Sequence, residues 1–384
     1  MSYADIIKKR IKDWNCDGLM EGAKAKRGNK IPFSSPLLNY STYGGIPRDA
    51  ITEFFGAPGS GKSTTAVDIC KTAYKLFQDE YQDQLFALQE KINNGNKSLM
   101  SEYEDVKERG PKKVLYIDLE HSFDAVWADT LGIREGEIDI MQPPDVFAED
   151  ILQTVKEIIE TGEAGLIVLD SIPSLVTQSE LDKKFGERTV ASLSGLLTIF
   201  CRKIVQLLTR YGTTLIVINQ IRDNMDSPYV VNTPGGNALK FYCSLRIQFK
   251  IGAPVDFLGN ELPASTENPA GYKVTAKIVK QKSAPNDRRA GSYYLMAHSG
   301  IRVDMDFCML AVNKYNIIRK SGAWYTLYDP DTMEPELNDN GSPVKLNGMS
   351  KVLEYLQSNH EYFDKLQRYI MTDIGGASSD DSNL

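Results

Sequence analysis

Four short runs, Ile51–Phe55, Val114–Ile117, Leu166–Leu169 and Leu215–Ile218, are dominated by apolar, β-branched and aromatic residues. Segments with helical spacing lie between and around them. Ala66, Ile69, Ala73 and Leu76 share one face of a helix that starts near Lys62. Ile151–Ile159 reads as a second helix, and Leu193–Leu208 as a third, with Leu196, Leu197, Phe200, Ile204 and Leu207 in phase. Apolar strands alternating with amphipathic helices predict an α/β fold: a mostly parallel, twisted sheet with helices on both faces. Two more strands are predicted between Lys273 and Met296, separated by Ala284-Pro285-Asn286-Asp287.

The flanks read differently. In residues 1–32, Ile6, Ile7, Ile11 and Trp14 keep helical spacing and Lys24, Lys26, Arg27 and Lys30 follow, as in an oligomerisation arm on a neighbouring subunit or a solvated tail. Residues 33–300 form the predicted core. Within it, residues 78–113 carry both charge signs. Leu85, Leu88 and Ile92 suggest a helix, Asn93-Asn94-Gly95-Asn96 breaks it, and a short helix reaches Arg109. This is an inserted helical hairpin, serving either as a solvated decoration or as a partner-docking arm. Residues 301–374 predict a small α/β domain, and the Ser/Asp-rich segment 375–384 has the composition of a disordered acidic tail.

Composition narrows the class. The 384 residues are 42% hydrophobic and 25% charged, as in a globular protein. No apolar run approaches the ~20 residues of a membrane span, and the first residues lack a signal-peptide core, so a cytoplasmic protein without a membrane partner is expected. Cys16, Cys70, Cys201, Cys243 and Cys308 are scattered and form no C-x-x-C pair, which predicts reduced thiols. With three histidines, a histidine-rich metal centre is not expected. The net charge of −7 means that any nucleic-acid binding must come from local basic loops.

The chemistry begins at residues 56–64, Gly56-Ala57-Pro58-Gly59-Ser60-Gly61-Lys62-Ser63-Thr64, which fill the pattern G-x-x-x-x-G-K-[ST] between a strand and a helix. Glycines there let successive backbone N–H groups face one anion, and the helix N-terminus adds positive potential. Lys62 can reach the outer phosphates of a nucleoside triphosphate, and Ser63 can ligate Mg²⁺. Glu120, Asp170, Asn219 and Gln220 close the neighbouring apolar runs, where ligands of parallel sheets bind. Asp170 is read as a Mg²⁺ carboxylate or a helix cap. Glu120 is read as the group that orients attacking water or as an exposed cap. Gln220 is read as a γ-phosphate sensor leading into a switch loop, or as the start of an ordinary loop. Two polar loops, Ser179–Thr189 and the stretch from Arg222 to Asn237, offer Lys183, Lys184, Arg188, Arg222 and Tyr229 for phosphate contacts and base stacking. The run Lys277-Ile-Val-Lys280-Gln-Lys282 alternates basic and apolar residues in part, as in a lysine-protected edge strand or as a pair of cations delivered to a neighbouring subunit's phosphates.

Over residues 33–326 the chain resembles the RecA recombinases. The likeness rests on the phosphate loop and on Tyr116-Ile-Asp-Leu-Glu-His-Ser-Phe-Asp124, Val168-Leu-Asp-Ser171, Asn219-Gln-Ile-Arg222, Gly235-Gly-Asn-Ala-Leu-Lys-Phe-Tyr242 and Gly322-Ala-Trp-Tyr325. It implies a RecA-like ATPase core using ATP and Mg²⁺, filaments on single-stranded DNA, and pairing with homologous duplex DNA, with loading or mediator proteins as further partners. By residue, it implies catalysis by Glu120, γ-phosphate sensing by Gln220, adenine and ribose contacts by Asp124 and Trp127, and action of Lys280 and Lys282 on the neighbour's ATP. Residues 179–190 and 221–237 match the DNA loops. Arg202, Arg222, Gly235, Gly236 and Asn237 match DNA contacts, and Lys240 and Phe241 match the subunit interface. Gly195 stands where the family has a DNA-contacting arginine, a contact that Arg188 could take over, and Val190 replaces a methionine wedge. The 78–113 insertion has no counterpart in the common bacterial form, and the second loop is slightly shorter. Two other functions share these features: a RecA-core ring helicase, and a nucleotide-gated DNA scaffold or recombination mediator.

Overall fold

The computed structural model describes residues 5, 6, 8, 9, 30–184, 192–221, 233–285 and 287–375. Most of the N-terminal arm, both loop centres and residues 376–384 of the acidic tail lie outside them. A two-stranded ribbon, β1 (Lys30–Ile31) and β2 (Ile46–Pro47), brackets helix α1 (Pro36–Thr42). The phosphate-loop strand β3 (Ile51–Gly56) leads into α2 (Lys62–Asn93), and α3 (Met100–Arg109) folds back on α2. There follow β4 (Lys113–Asp118), α4 (Ala125–Thr130), β5 (Asp139–Met141), α5 (Ala148–Thr161), β6 (Ala164–Asp170), α6 (Gln178–Leu181), α7 (Ser192–Tyr211) and β7 (Thr214–Gln220). Next come α8 (Ala238–Tyr242) and strands β8 (Leu245–Val255), β9 (Gly271–Gln281), β10 (Ala290–Met296) and β11 (Gly300–Ile301).

These strands form a nine-stranded sheet in the order β11-β10-β9-β8-β3-β7-β6-β4-β5. From β8 to β5 the pairs are parallel; β9, β10 and β11 extend one side antiparallel. The fold is therefore α/β with a mostly parallel sheet, as predicted. Strand periodicity explains the two cores. Val114 and Tyr116 face a cluster built on α2, whereas Leu115 and Ile117 face one built on α5 and α7. The chain ends in α9 (Val303–Asn313), the small antiparallel sheet β12 (Ile318–Ser321), β13 (Trp324–Leu327) and β14 (Lys345–Asn347), and helices α10 (Met349–Ser358) and α11 (His360–Gly375). Their core includes Val255, Tyr294 and Met296, so it is continuous with the edge of the large sheet.

The insertion differs from the sequence pattern in one respect. No Gly or Pro interrupts residues 62–93, so α2 runs unbroken through the 32 residues where the pattern suggested two helices. At 1.5 Å per residue it is about 48 Å long. It stops at Asn94-Gly95, and the hairpin buries Leu88, Ile92 and Val106.

A buried acid joins the end of the chain to its beginning. Asp306 on α9 is fully buried and accepts a short hydrogen bond from Ser35 Oγ, while its Oδ1 has no partner among the described residues. Burial pushes its carboxyl well above the usual carboxylate range, and the bonds from Ser35 and the Leu37 backbone N–H oppose this only in part. The folded state thus holds a proton that the unfolded chain releases near pH 4, so this group's stabilisation is full below that pH and is lost as pH rises through the folded value. Asp306→Asn is expected to raise the thermal midpoint by a few degrees at about pH 8 and by less at about pH 5. Thermal melts of both proteins at the two pH values check this; an equal shift at both contradicts it.

Candidate functional site

Register brings the site together. Gly56 at the end of β3 lies beside Gln220 at the end of β7, and Asp118 at the end of β4 lies beside Asp170 at the end of β6. Gly59 (φ 68°) and Gly61 (φ 87°) take the left-handed backbone that turns the loop into the N-terminus of α2. A side chain at Gly56 would sit 2.3 Å from the Phe249 carbonyl oxygen. Lys62 Nζ is folded onto its own loop, donating to the Ala57 carbonyl at 2.8 Å. Burial lowers the Lys62 pKa, and the nearby Asp170 and Glu120 carboxylates pull it back up.

Asp170 is buried and accepts hydrogen bonds from Tyr116 Oη, at 2.6 Å, and from Ser63. Burial raises its pKa against those two bonds. Ser63 and Asp170 therefore meet as two hard oxygen donors, the kind Mg²⁺ takes. The buried Ser60 Oγ has no partner among the described residues. An orphaned hydroxyl, a lysine on a loop carbonyl and a hydroxyl–carboxylate pair fit a Mg²⁺-bound triphosphate.

Glu120 is exposed, and its Oε1 accepts from Ser171 Oγ at 2.5 Å and from Gln220 Nε2 at 3.2 Å. The turn that carries it is organised by Asp118. This fully buried carboxylate accepts from the backbone N–H of Glu120 and Phe123 and from Gln142 Nε2. The sequence pattern assigns Asp118 and Ser171 no role; an acid two residues before the strand-end glutamate is the one signal it carries for Asp118. Trp127 is half-buried and lines an apolar cavity of about 220 Å³ with Gly59, Tyr272 and Met296. Asp124 is spent on capping α4, accepting from Val126 and Trp127 N–H, and is not in that lining.

The residues singled out for nucleic acid lie to one side. Ser194, Thr198 and Arg202 recur every fourth position of α7, and Arg202 is exposed. Ser194 and Thr198 line a broad cavity of about 640 Å³ with Gly195, Gly236, Asn237 and Phe241. A Cβ at Gly235 would meet Leu197 at 2.5 Å, and one at Gly236 would meet Ser194 at 2.8 Å. These glycines let the chain lie directly on α7. Gly195 opens onto free space. Lys183 and Lys184 are exposed, whereas Arg188, Val190, Arg222 and Tyr229 lie outside the described residues. Lys280 and Lys282 are not drawn to the phosphate loop of their own chain. Lys280 Nζ donates to the carbonyls of Lys240 and Phe241, and Lys282 Nζ to that of Phe241, beside the 71% exposed Phe241 ring.

A glycine-rich loop on the central strand, with a lysine, a hydroxyl and strand-end carboxylates around it, defines a P-loop α/β protein. Residues 99–302, more than half of the chain, match the family model of the RecA N-terminal domain. The RecA protein of Borrelia duttonii is 29% identical over 94% of this chain and 85% of its own length. That of Borreliella burgdorferi is 30% identical over 91% and 80%, and that of Aquifex aeolicus 29% identical over 91% and 85%. The chain belongs to the RecA family of recombinases. Among the described residues, no helix is long and apolar enough to cross a membrane.

Proposed function

We propose that this chain is an ATP-dependent homologous recombinase that polymerises on single-stranded DNA and exchanges strands with a homologous duplex. The observation that carries the reading is the end of β7. Gln220 bonds to Glu120, while Asn219 beside it bonds to the Pro234 carbonyl at the close of the second DNA loop. One strand end thus touches both the carboxylate proposed to orient water and the loop proposed to hold DNA.

In this reading the backbone of residues 56–64 and Lys62 bind the triphosphate, and Trp127 covers the base. Ser63 and Asp170 would hold Mg²⁺, which supplies charge neutralisation on the phosphates when bound. Glu120 orients the attacking water, and Ser171 fixes the carboxylate that does so. Gln220 leaves Glu120 for the γ-phosphate, and that movement engages the 221–237 loop with DNA. Lys280 and Lys282 act on the site of the adjacent protomer, which their position beside the exposed Phe241 supports. The test is phosphate release with ATP and Mg²⁺, with and without single-stranded DNA. Strong stimulation by DNA is expected; an equal rate without DNA would overturn the reading.

A further inference from the structure

We infer that Glu53 and Asn219 form a buried positioning link between the sensor end of β7 and the closing segment of the second DNA loop, and that Arg246 extends this link toward Lys280. The inference rests on the proposed nucleotide-gated DNA binding. Glu53 is a fully buried carboxylate in the middle of the phosphate-loop strand. Its Oε2 takes a short hydrogen bond from Arg246 Nε, and its Oε1 accepts from Asn219 Nδ2 at 2.9 Å. Well-packed apolar residues usually stabilise a core at least as well as a buried ion pair. The arrangement is therefore better explained by the geometry it fixes.

That geometry concerns Asn219, which is itself fully buried. A carboxylate can only accept, so Glu53 turns the amide NH₂ of Asn219 toward itself. The second amide hydrogen then reaches the Pro234 carbonyl at 3.1 Å, and Oδ1 accepts the Gln220 N–H at 3.0 Å. One side chain thus ties the sensor's own backbone to the residue preceding Gly235 and Gly236, which lie wedged on α7. A flipped or shifted Asn219 loses this connection. A displacement of Gln220 cannot leave Pro234 unaffected while it holds.

The row continues across the sheet. Arg246 on β8 pairs in register with Glu53 on β3 and with Lys280 on β9, and its guanidinium lies 4.7 Å from the centre of the Phe55 ring. Asn219, Glu53, Arg246 and Lys280 thus occupy four adjacent strands. They connect the sensor of one ATP site to the lysine proposed to serve the next.

Glu53→Gln keeps the shape but leaves one acceptor where two are needed. The readout is single-stranded DNA affinity with a non-hydrolysable ATP analogue divided by that with ADP. ATPase without DNA and the thermal midpoint are followed in parallel. Basal turnover and the KM for ATP are expected to stay within about twofold of wild type. The affinity ratio is expected to fall at least about tenfold, a coupling loss of about 1.4 kcal/mol. Asn219→Ser breaks the bridge with the Glu53–Arg246 pair intact and should show the same loss, including where Glu53→Gln fails to fold. An unchanged ratio in Asn219→Ser, or a fall in proportion to basal activity and midpoint, would overturn the link. A wild-type protein with equal DNA affinity in both nucleotide states would instead overturn the gating reading, and the link with it.

Discussion

Glu120→Gln is expected to lower DNA-stimulated ATP turnover by about 10²–10⁴-fold, the range that loss of a general base produces, while ATP-dependent binding to single-stranded DNA persists. The amide is isosteric, so Ser171 Oγ still finds an acceptor at this position and the turn held by Asp118 is undisturbed. Gln220 remains at the end of β7, beside Gly56, where it is proposed to meet the γ-phosphate. What disappears is a carboxylate able to orient and partly deprotonate water. Turnover and fluorescence-anisotropy binding, measured on one preparation, separate the two effects. Unchanged turnover would remove Glu120 from the chemistry; loss of binding together with turnover would make it structural.

Lys280→Ala is expected to reduce turnover by about 10³–10⁵-fold in the assembled protein, the range seen when a cation supplied in trans is removed. Burial, then Lys282, then Arg246 depress the Lys280 pKa, with Cys243 and Glu53 acting against them, and its Nζ rests on carbonyls of α8 at a surface where Phe241 is exposed. This placement is the basis for the proposal that Lys280 serves the adjacent protomer. Mixing gives a sharp test. In a head-to-tail assembly of equal parts Glu120→Gln and Lys280→Ala, about one quarter of the interfaces pair an intact Glu120 with an intact Lys280. Two inactive proteins should then recover about a quarter of the wild-type rate per protomer. No recovery would mean that Lys280 acts within its own chain or only supports the fold.

The parts of this protein legible in the sequence are those that depend on local pattern. The phosphate loop is contiguous, so its glycines, Lys62 and Ser63 announce themselves. Glu120, Asp170 and Gln220 could be brought to one place because apolar runs alternating with helices imply parallel strands with a common carboxyl edge. Pairings between distant residues were not legible. Glu53 meets Arg246 from 193 positions away, and Ser35 meets Asp306 from 271. Neither pair leaves a periodic trace, and Glu53 reads only as a polar interruption of a strand. Strand β8 also escaped, although Leu245, Ile247 and Phe249 alternate inward along it, because it follows directly on the Gly235–Tyr242 block. The length of α2 was missed for the opposite reason. The polar and charged stretch between the patterns ending at Leu76 and beginning at Leu85 interrupts the apolar rhythm but contains nothing to end the helix.

Strand exchange tests recombinase function most directly. The protein would be incubated with circular single-stranded DNA, linear duplex, ATP and Mg²⁺, and the joint molecules resolved on a gel. The expected result is product that requires ATP and a homologous duplex, with nucleoprotein filaments visible by electron microscopy under the same conditions. Duplex unwinding that ignores homology, or ATP-dependent DNA binding with no joint molecules, would contradict it.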